Sequence, residues 1–179
     1  MTINELIGWL GETETPLLVI CVRLGVALMF GVIIGLDREI RGKPAGLRTH
    51  MLVALAAAAF TLIALEMVQT VSDDSPTVRV DPIRAIEAVV AGVAFLGAGA
   101  IIQARGSVMG ITTGASVWLV GALGLACGAG YFSIASITLI LAFVTLTGIS
   151  YLERKMHRHL LHGDDHKPDA EADRERDGG

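Results

Sequence analysis

The sequence predicts an all-α polytopic membrane protein with five transmembrane helices. Three observations lead to this fold class. Hydrophobic residues make up 53% of the 179 residues, and the mean hydropathy of +0.61 is high for a soluble domain. The apolar residues fall into five runs, and the charged residues are concentrated at the ends of these runs and after Ser150. That distribution is typical of helices that cross a bilayer.

Each run is close to the length of one membrane crossing, which takes about 20 mostly apolar residues. The runs cover residues 17–36, 47–68, 83–102, 111–127 and 131–151. Only Gly128, Ala129 and Gly130 separate the last two, and one continuous helix over both would be about twice as long as the bilayer is thick. We therefore expect a tight hairpin there. The resulting domains are a short extracytoplasmic N-terminus (1–16), a transmembrane domain (17–151) and a charged cytoplasmic tail (152–179) that we expect to be disordered.

The distribution of Lys and Arg predicts how these helices are oriented. One side of the membrane receives Arg38, Arg41, Lys43, Arg48, Arg105, Arg154, Lys155 and Arg158. The other side receives only Arg79 and Arg84, together with Asp73, Asp74 and Asp81. Because loops rich in Lys and Arg stay in the cytoplasm, we expect the N-terminus outside and the C-terminus inside. An odd number of helices agrees with this arrangement.

Small residues at four-residue spacing predict where the helices touch. Such stripes allow close backbone approach in lipid, where association does not depend on excluding water. Three stripes are present: Ala27 with Gly31 and Gly35, Ala88 with Gly92, and Gly124 with Gly128. The alternative is a general enrichment of glycine in membrane helices.

An internal repeat relates the first two helical hairpins at an offset of 64 residues. Residues 41–49 and 105–113 share the pattern Arg-Gly, three residues, Gly, an aliphatic residue, any residue, Thr. The pattern predicts a parallel repeat of two helices about an axis along the membrane normal. The same offset places Arg23 on Glu87, so we expect these two to pair within the membrane with Glu66 and Arg84 nearby. The alternative is that Arg23 reaches the outer surface alone.

The loop between the first two runs is the main candidate site, because acids and bases alternate there beside glycines. The candidate ion-binding or ligand-binding residues are Asp37, Arg38, Glu39, Gly46, Arg48 and Thr49, with Thr112 and Thr113 at the repeat position. Carboxylates could hold Mg²⁺, and the free N–H groups that open the second helix could hold an anion. The acids could also serve only to neutralise neighbouring bases.

The same residues carry a resemblance to a known family. The segments Gly-Leu-Asp-Arg-Glu at 35–39 and Ala-Gly-Leu-Arg-Thr at 45–49 resemble the signature loop of the MgtC/SapB membrane proteins. Asp81-Pro82 with the glycine-rich stretch 92–99 resembles the family's third span, and residues 110–115 with Trp118 resemble its fourth. Asp37 stands where the family more often has Glu, Ala94 replaces a usual Gly, and Thr112 stands where some members have Asn. The chain resembles a short form that lacks a C-terminal cytosolic domain.

The resemblance implies a multi-pass protein of the bacterial inner membrane that is linked to growth in low magnesium, in a family associated with virulence. Two roles remain open. The chain could regulate other membrane proteins or be an ion transport component, and the alternative is an oligomeric permease for Mg²⁺ or another small solute. The expected partners are the bilayer, another inner-membrane protein or further copies of the chain.

Other functional classes are not indicated by the sequence. We expect no enzyme, because no phosphate loop, zinc motif or Ser–His–acid arrangement is recognisable, and no cofactor beyond Mg²⁺ as a ligand. Nucleic-acid binding is not expected either, since no basic face alternates with aromatic residues. The tail contains His157, His159, His162 and His166 with Asp164 and Asp165, for which a solvated tail and a metal site are the alternatives.

Overall fold

A computed structural model describes residues 13–74, 81–104 and 107–162. Five helices account for nearly all of this part of the chain: α1 (Leu17–Ile40), α2 (Leu47–Asp74), α3 (Pro82–Gly99), α4 (Ile111–Gly128) and α5 (Phe132–His162). A short antiparallel hairpin of β1 (Ile102–Ala104) and β2 (Ser107–Met109) lies between α3 and α4, with Ile102 opposite Met109. The chain forms two compact units, Met1–Leu139 and Ile140–Gly179, and α5 begins in the first.

The described helices confirm an all-α polytopic membrane protein. α1, α3, α4 and the part of α2 up to Val71 are long and apolar enough to cross a membrane, and Phe132–Gly148 of α5 is a shorter apolar helix. The predicted first residues Leu17, Leu47 and Ile111 are the observed ones. The orientation of the chain ends and the parallel repeat remain predictions.

Four of the predicted helix ends are wrong. α2 ends at Asp74 and not at residue 68. α1 continues beyond residue 36 to Ile40, so Asp37, Arg38 and Glu39 belong to a helix and not to a loop. α3 ends at Gly99 and not at residue 102, because Ile102 starts β1. α5 continues past residue 152 to His162, into the predicted disordered tail. Residues 1–12 and 163–179 lie outside the described residues.

α4 is the central helix of the first unit. It contacts α1, α2 and α3, and 56% of its most apolar stretch is buried, compared with 6% for α3. Glycines make this packing possible. A Cβ at Gly121 would lie 2.7 Å from a methyl group of Val93 on α3, and a Cβ at Gly128 would lie 2.9 Å from the Cα of Ala58 on α2. The predicted contact stripe of Gly124 and Gly128 therefore packs against α2.

α1 and α2 pack along the stripe that begins at Ala27. A Cβ at Gly31 would lie 2.8 Å from the His50 carbonyl oxygen, and one at Gly35 would lie 2.8 Å from the Cα of Leu47. The stripe of Ala88 and Gly92 does not form such a contact, since nothing lies within 4 Å of a Cβ at Gly92. α3 instead buries Val93 and Gly97.

The turn between α4 and α5 is the predicted tight hairpin. Gly130 has a φ of 84°, and the N–H of Tyr131 donates to the Ala126 carbonyl while that of Gly130 donates to the Cys127 carbonyl. This pair of bonds around a left-handed residue is the Schellman arrangement, which satisfies the last carbonyls of a helix. Glycine is favoured there because it adopts a positive φ without steric cost.

Candidate functional site

The charged residues Asp37, Arg38 and Glu39 form the last turn of α1. The Asp37 carboxylate accepts a hydrogen bond from Arg41 Nε at 2.8 Å, and this i, i+4 pair spans the end of the helix. The N–H of Lys43 donates to the Arg38 carbonyl at 3.0 Å. The Asp37 side chain is only 12% exposed, so the ion pair lies at the edge of the packed helices and not in open solvent.

Arg38 is buried, with only 2% of its surface exposed. It shares a buried face of α1 with Gly31, Ile34 and Gly35, and the two glycines of that face contact the first two turns of α2. One turn beyond Gly35, the guanidinium of Arg38 is thus directed toward the start of α2, where it interacts electrostatically with His50. Its Nε and Nη2 atoms are buried and have no hydrogen-bond partner among the described residues.

Glu39 occupies the N-terminal end of α2. Its Oε2 atom accepts a hydrogen bond from the Leu47 N–H at 2.9 Å, so an acid on α1 caps the next helix. Gly46 makes room for it, because a Cβ there would overlap the same oxygen. The backbone N–H groups of Arg48 and Thr49 have no acceptor among the described residues, and both side chains are exposed.

His50 and Ser116 connect the two halves of the bundle. His50 is fully buried. Its Nδ1 atom is bonded to the Gly46 carbonyl at 2.7 Å, and its Nε2 atom lies 3.1 Å from Ser116 Oγ, within hydrogen-bond distance. A carbonyl can only accept, so Nδ1 carries a hydrogen. The Ser116 hydroxyl also lies 2.8 Å from the Thr113 carbonyl, and its single hydrogen is donated either to that carbonyl or to Nε2.

His50 is not among the candidate residues drawn from the sequence, so this link was missed. The helical periodicity of α2 contains a signal that would have identified His50 as buried. His50 lies in register with Val53, Ala54, Ala57 and Ala58, which are all buried on α2. A polar residue in phase with such a face is buried with it and needs hydrogen-bond partners.

The two threonines at the repeat position differ from each other. Thr112 is exposed, whereas Thr113 is 2% exposed and its carbonyl is the one that faces Ser116. Through Ser116, the start of α4 thus lies beside His50 and the start of α2. The glycines before the two helices differ as well: Gly110 has a φ of 85°, whereas Gly46 does not have a positive φ.

The predicted ion pair between Arg23 and Glu87 is absent from the described chain. Arg23 Nη1 donates instead to the Gly128 carbonyl at 2.9 Å, since the unpaired carbonyls at the C-terminal end of α4 attract a cation. Glu66 accepts from the backbone N–H groups of Glu14 and Thr15 at 2.8 and 2.9 Å. Arg23 and Glu66 interact electrostatically, whereas Arg84 and Glu87 are exposed on α3. The four residues therefore do not form one cluster.

The described residues do not bring together three or more His, Cys, Asp or Glu side chains in a group that could hold a metal ion. Cys21 is exposed and Cys127 is buried, and both are free thiols. The histidines of the tail fall outside this description, because no side chain beyond residue 148 is described. The best-defined polar site is accordingly the end of α1 with the start of α2, formed by Arg38, Glu39, Gly46, Arg48, Thr49 and His50. We call it the loop site.

Several known proteins are similar to this chain. Protein SapB of Bacillus subtilis is 32% identical over 138 residues, which are 76% of this chain and 59% of that protein. "Putative magnesium transporter YhiD" of Escherichia coli K12 is 37% identical over 114 residues, 63% of this chain and 52% of that protein. Protein MgtC of Brucella abortus is 38% identical over 117 residues, 65% of this chain and 45% of that protein.

The chain thus spans about half the length of these relatives. No solved structure matches it. The family model described as MgtC family matches residues 24–155, which include the loop site and most of the helical region. The resemblance drawn from residues 35–49 is therefore confirmed, and the chain belongs to the MgtC family.

Proposed function

We propose that this chain is an inner-membrane protein of magnesium-linked homeostasis and that it regulates other membrane proteins without itself conducting Mg²⁺. The link to magnesium is supported by the name of the Escherichia coli relative, which refers to magnesium transport. Placement of the loop site on the cytoplasmic side is supported by the distribution of Lys and Arg.

The buried charge of Arg38 is the observation that carries this proposal. Asp37 is bonded to Arg41 and Glu39 to the Leu47 N–H, so neither carboxylate is hydrogen-bonded to the guanidinium, although the adjacent Asp37 offsets part of its charge. A fixed cation in a region of low dielectric raises the energy of a nearby Mg²⁺ ion and lowers that of an anionic group. The loop site is therefore suited to binding an anionic group of a ligand or a partner protein.

The polar groups deeper in the helices also favour a role other than conduction. Thr61 donates to the Ala57 carbonyl of its own helix at 2.7 Å, and Ser116 is engaged by His50 and Thr113. Sites for Mg²⁺ usually combine carboxylates with retained water molecules. Among the buried residues of the described helices the polar side chains are Arg38, His50, Thr61, Thr113 and Ser116, and none of them is a carboxylate.

Flux of Mg²⁺ into proteoliposomes that contain only the purified chain tests this proposal. We expect the flux to equal that of protein-free liposomes, both for the unchanged chain and for Asp37→Ala. Circular dichroism on the same proteoliposomes establishes that the protein is helical. Saturable Mg²⁺ flux that Asp37→Ala abolishes would contradict the proposal and establish the permease alternative.

A further inference from the structure

Four hydrogen-bond donors of the loop site have no partner among the described residues. Two are the Nε and Nη2 groups of Arg38, which are buried. The other two are the backbone N–H groups of Arg48 and Thr49 in the first turn of α2. Donors of both kinds bind the same chemical group, a tetrahedral oxyanion, because guanidinium forks and helix N-terminal N–H groups both match its oxygen atoms.

The cost of leaving Arg38 unpaired indicates that the site is completed by a ligand. A buried charged group without hydrogen-bond partners is strongly destabilising. The adjacent residue Asp37 offsets part of this charge electrostatically, but it makes no hydrogen bond to the guanidinium, and its own Oδ2 atom is also buried without a partner among the described residues. Asp37 is in addition engaged by Arg41, which lies one turn further on.

Glu39 shows how the free protein fills part of the site. Its carboxylate accepts a hydrogen bond from the Leu47 N–H at 2.9 Å. This is the first N–H of α2, and the next two, those of Arg48 and Thr49, have no partner among the described residues. The Glu39 side chain is exposed, so it can leave at small cost. An incoming oxyanion would compete with this carboxylate for the N–H group and would also be repelled by its charge.

We propose that Arg38 and the first turn of α2 bind a phosphate group, and that the Glu39 carboxylate competes with it for the helix N-terminus. The phosphate belongs either to a soluble molecule or to a lipid headgroup. This inference rests on the proposed function, since it names the ligand class of the loop site. It also predicts opposite effects for two neighbouring residues, which a purely structural role for either would not produce.

The test uses the full chain in nanodiscs and two phosphate sources. The first is inorganic phosphate, titrated calorimetrically into nanodiscs of phosphatidylcholine. The second is phosphatidylglycerol, whose binding is read as a rise in melting temperature relative to phosphatidylcholine nanodiscs. The variants are Arg38→Gln, Glu39→Gln and, as a matched loss of positive charge on α3, Arg84→Gln.

We expect Arg38→Gln to weaken binding of the active source by about tenfold or more, since it removes charge-assisted hydrogen bonds. Glu39→Gln should strengthen binding by about threefold, because it removes a competing charge at a helix N-terminus. Arg84→Gln should leave it unchanged. Glu39→Gln alters only an exposed side chain, so it keeps the test decisive even where Arg38→Gln reduces folding.

Saturable binding of inorganic phosphate with this pattern supports a soluble ligand. Stabilisation by phosphatidylglycerol alone with this pattern supports a lipid headgroup. Binding of neither source would overturn the inference, as would equal effects of Arg38→Gln and Arg84→Gln. Neither of these outcomes bears on Mg²⁺ flux. The binding test can therefore contradict the phosphate proposal while the regulatory proposal stands, and the flux test can contradict the regulatory proposal while phosphate binding stands.

Discussion

In the first helical hairpin, α1 and α2 pack closely along Gly31 and Gly35 up to the turn that joins them. In the second, α3 and α4 are joined by a β-hairpin, and nothing lies within 4 Å of a Cβ at Gly99, the repeat equivalent of Gly35. The first connection buries Arg38 and caps α2 with Glu39. The second begins α4 at the left-handed Gly110 without a side-chain cap.

This difference shows that the two hairpins share a sequence pattern but not a site. Repeated glycines and threonines place a helix start at the same point of each pattern. The charges are not repeated, since position 102 is Ile where position 38 is Arg, and position 103 is Gln where position 39 is Glu. We therefore expect function to depend on the first connection and fold stability to depend strongly on the second.

The largest difference should appear at the glycine before each helix. Gly110→Ala should lower the free energy of unfolding by about 3 kcal/mol, because a Cβ meets both an unfavourable positive φ and the Ala100 carbonyl. Gly46→Ala should lower it by about 1 kcal/mol, since the added Cβ displaces only the Glu39 cap. Unfolding in mixed detergent micelles measures both. Equal losses would show that the two connections are alike.

The second pair, Gly35 and Gly99, should show the opposite sensitivity of the two hairpins. Gly35→Ala places a Cβ 2.8 Å from the Cα of Leu47 and should lower the free energy of unfolding by about 2 kcal/mol through overpacking. Gly99→Ala meets no atom within 4 Å and should be neutral or stabilise the helix by up to about 1 kcal/mol. The same micelle titration applies. A larger loss for Gly99→Ala would contradict the described packing.

The smallest effect concerns the link between the hairpins. A double-mutant cycle of His50→Ala and Ser116→Ala should give a coupling free energy of about 1 kcal/mol, because the two side chains lie within hydrogen-bond distance. A control cycle pairs His50→Ala with Thr61→Ala, whose hydroxyl bonds to its own helix. The control should be additive. Additivity in both cycles would show that His50 and Ser116 do not connect α2 with α4.

Local rules predicted the fold well and the site only in part. The first residues of α1, α2 and α4 follow from where polar and turn-forming residues give way to apolar runs. The end of α1 could not be predicted in this way, because charged residues ordinarily end a membrane helix. Asp37 and Arg38 remain helical since one pairs with Arg41 and the other packs on the face that contacts α2. Both depend on how α1 crosses α2, which the sequence does not state directly.

The membrane charges illustrate the same limit. Arg23 and Glu87 occupy equivalent positions in the repeat, and their opposite charges at those positions predicted an ion pair. The structure instead directs Arg23 to the end of α4, where the Gly128 carbonyl is available at 2.9 Å. The C-terminal end of a helix is thus an alternative partner to an acidic side chain, because the carbonyls there attract cations.

The most direct test of the account is growth in low-magnesium medium of a host strain that lacks its own copy of the protein. The strain is supplied with the unchanged chain, with Arg38→Gln at the first connection or with Thr112→Val at the second, at equal abundance in the membrane. The account predicts that Arg38→Gln fails to restore growth and that Thr112→Val restores it fully. Full restoration by Arg38→Gln, or failure of Thr112→Val alone, would contradict the assignment of function to the loop site.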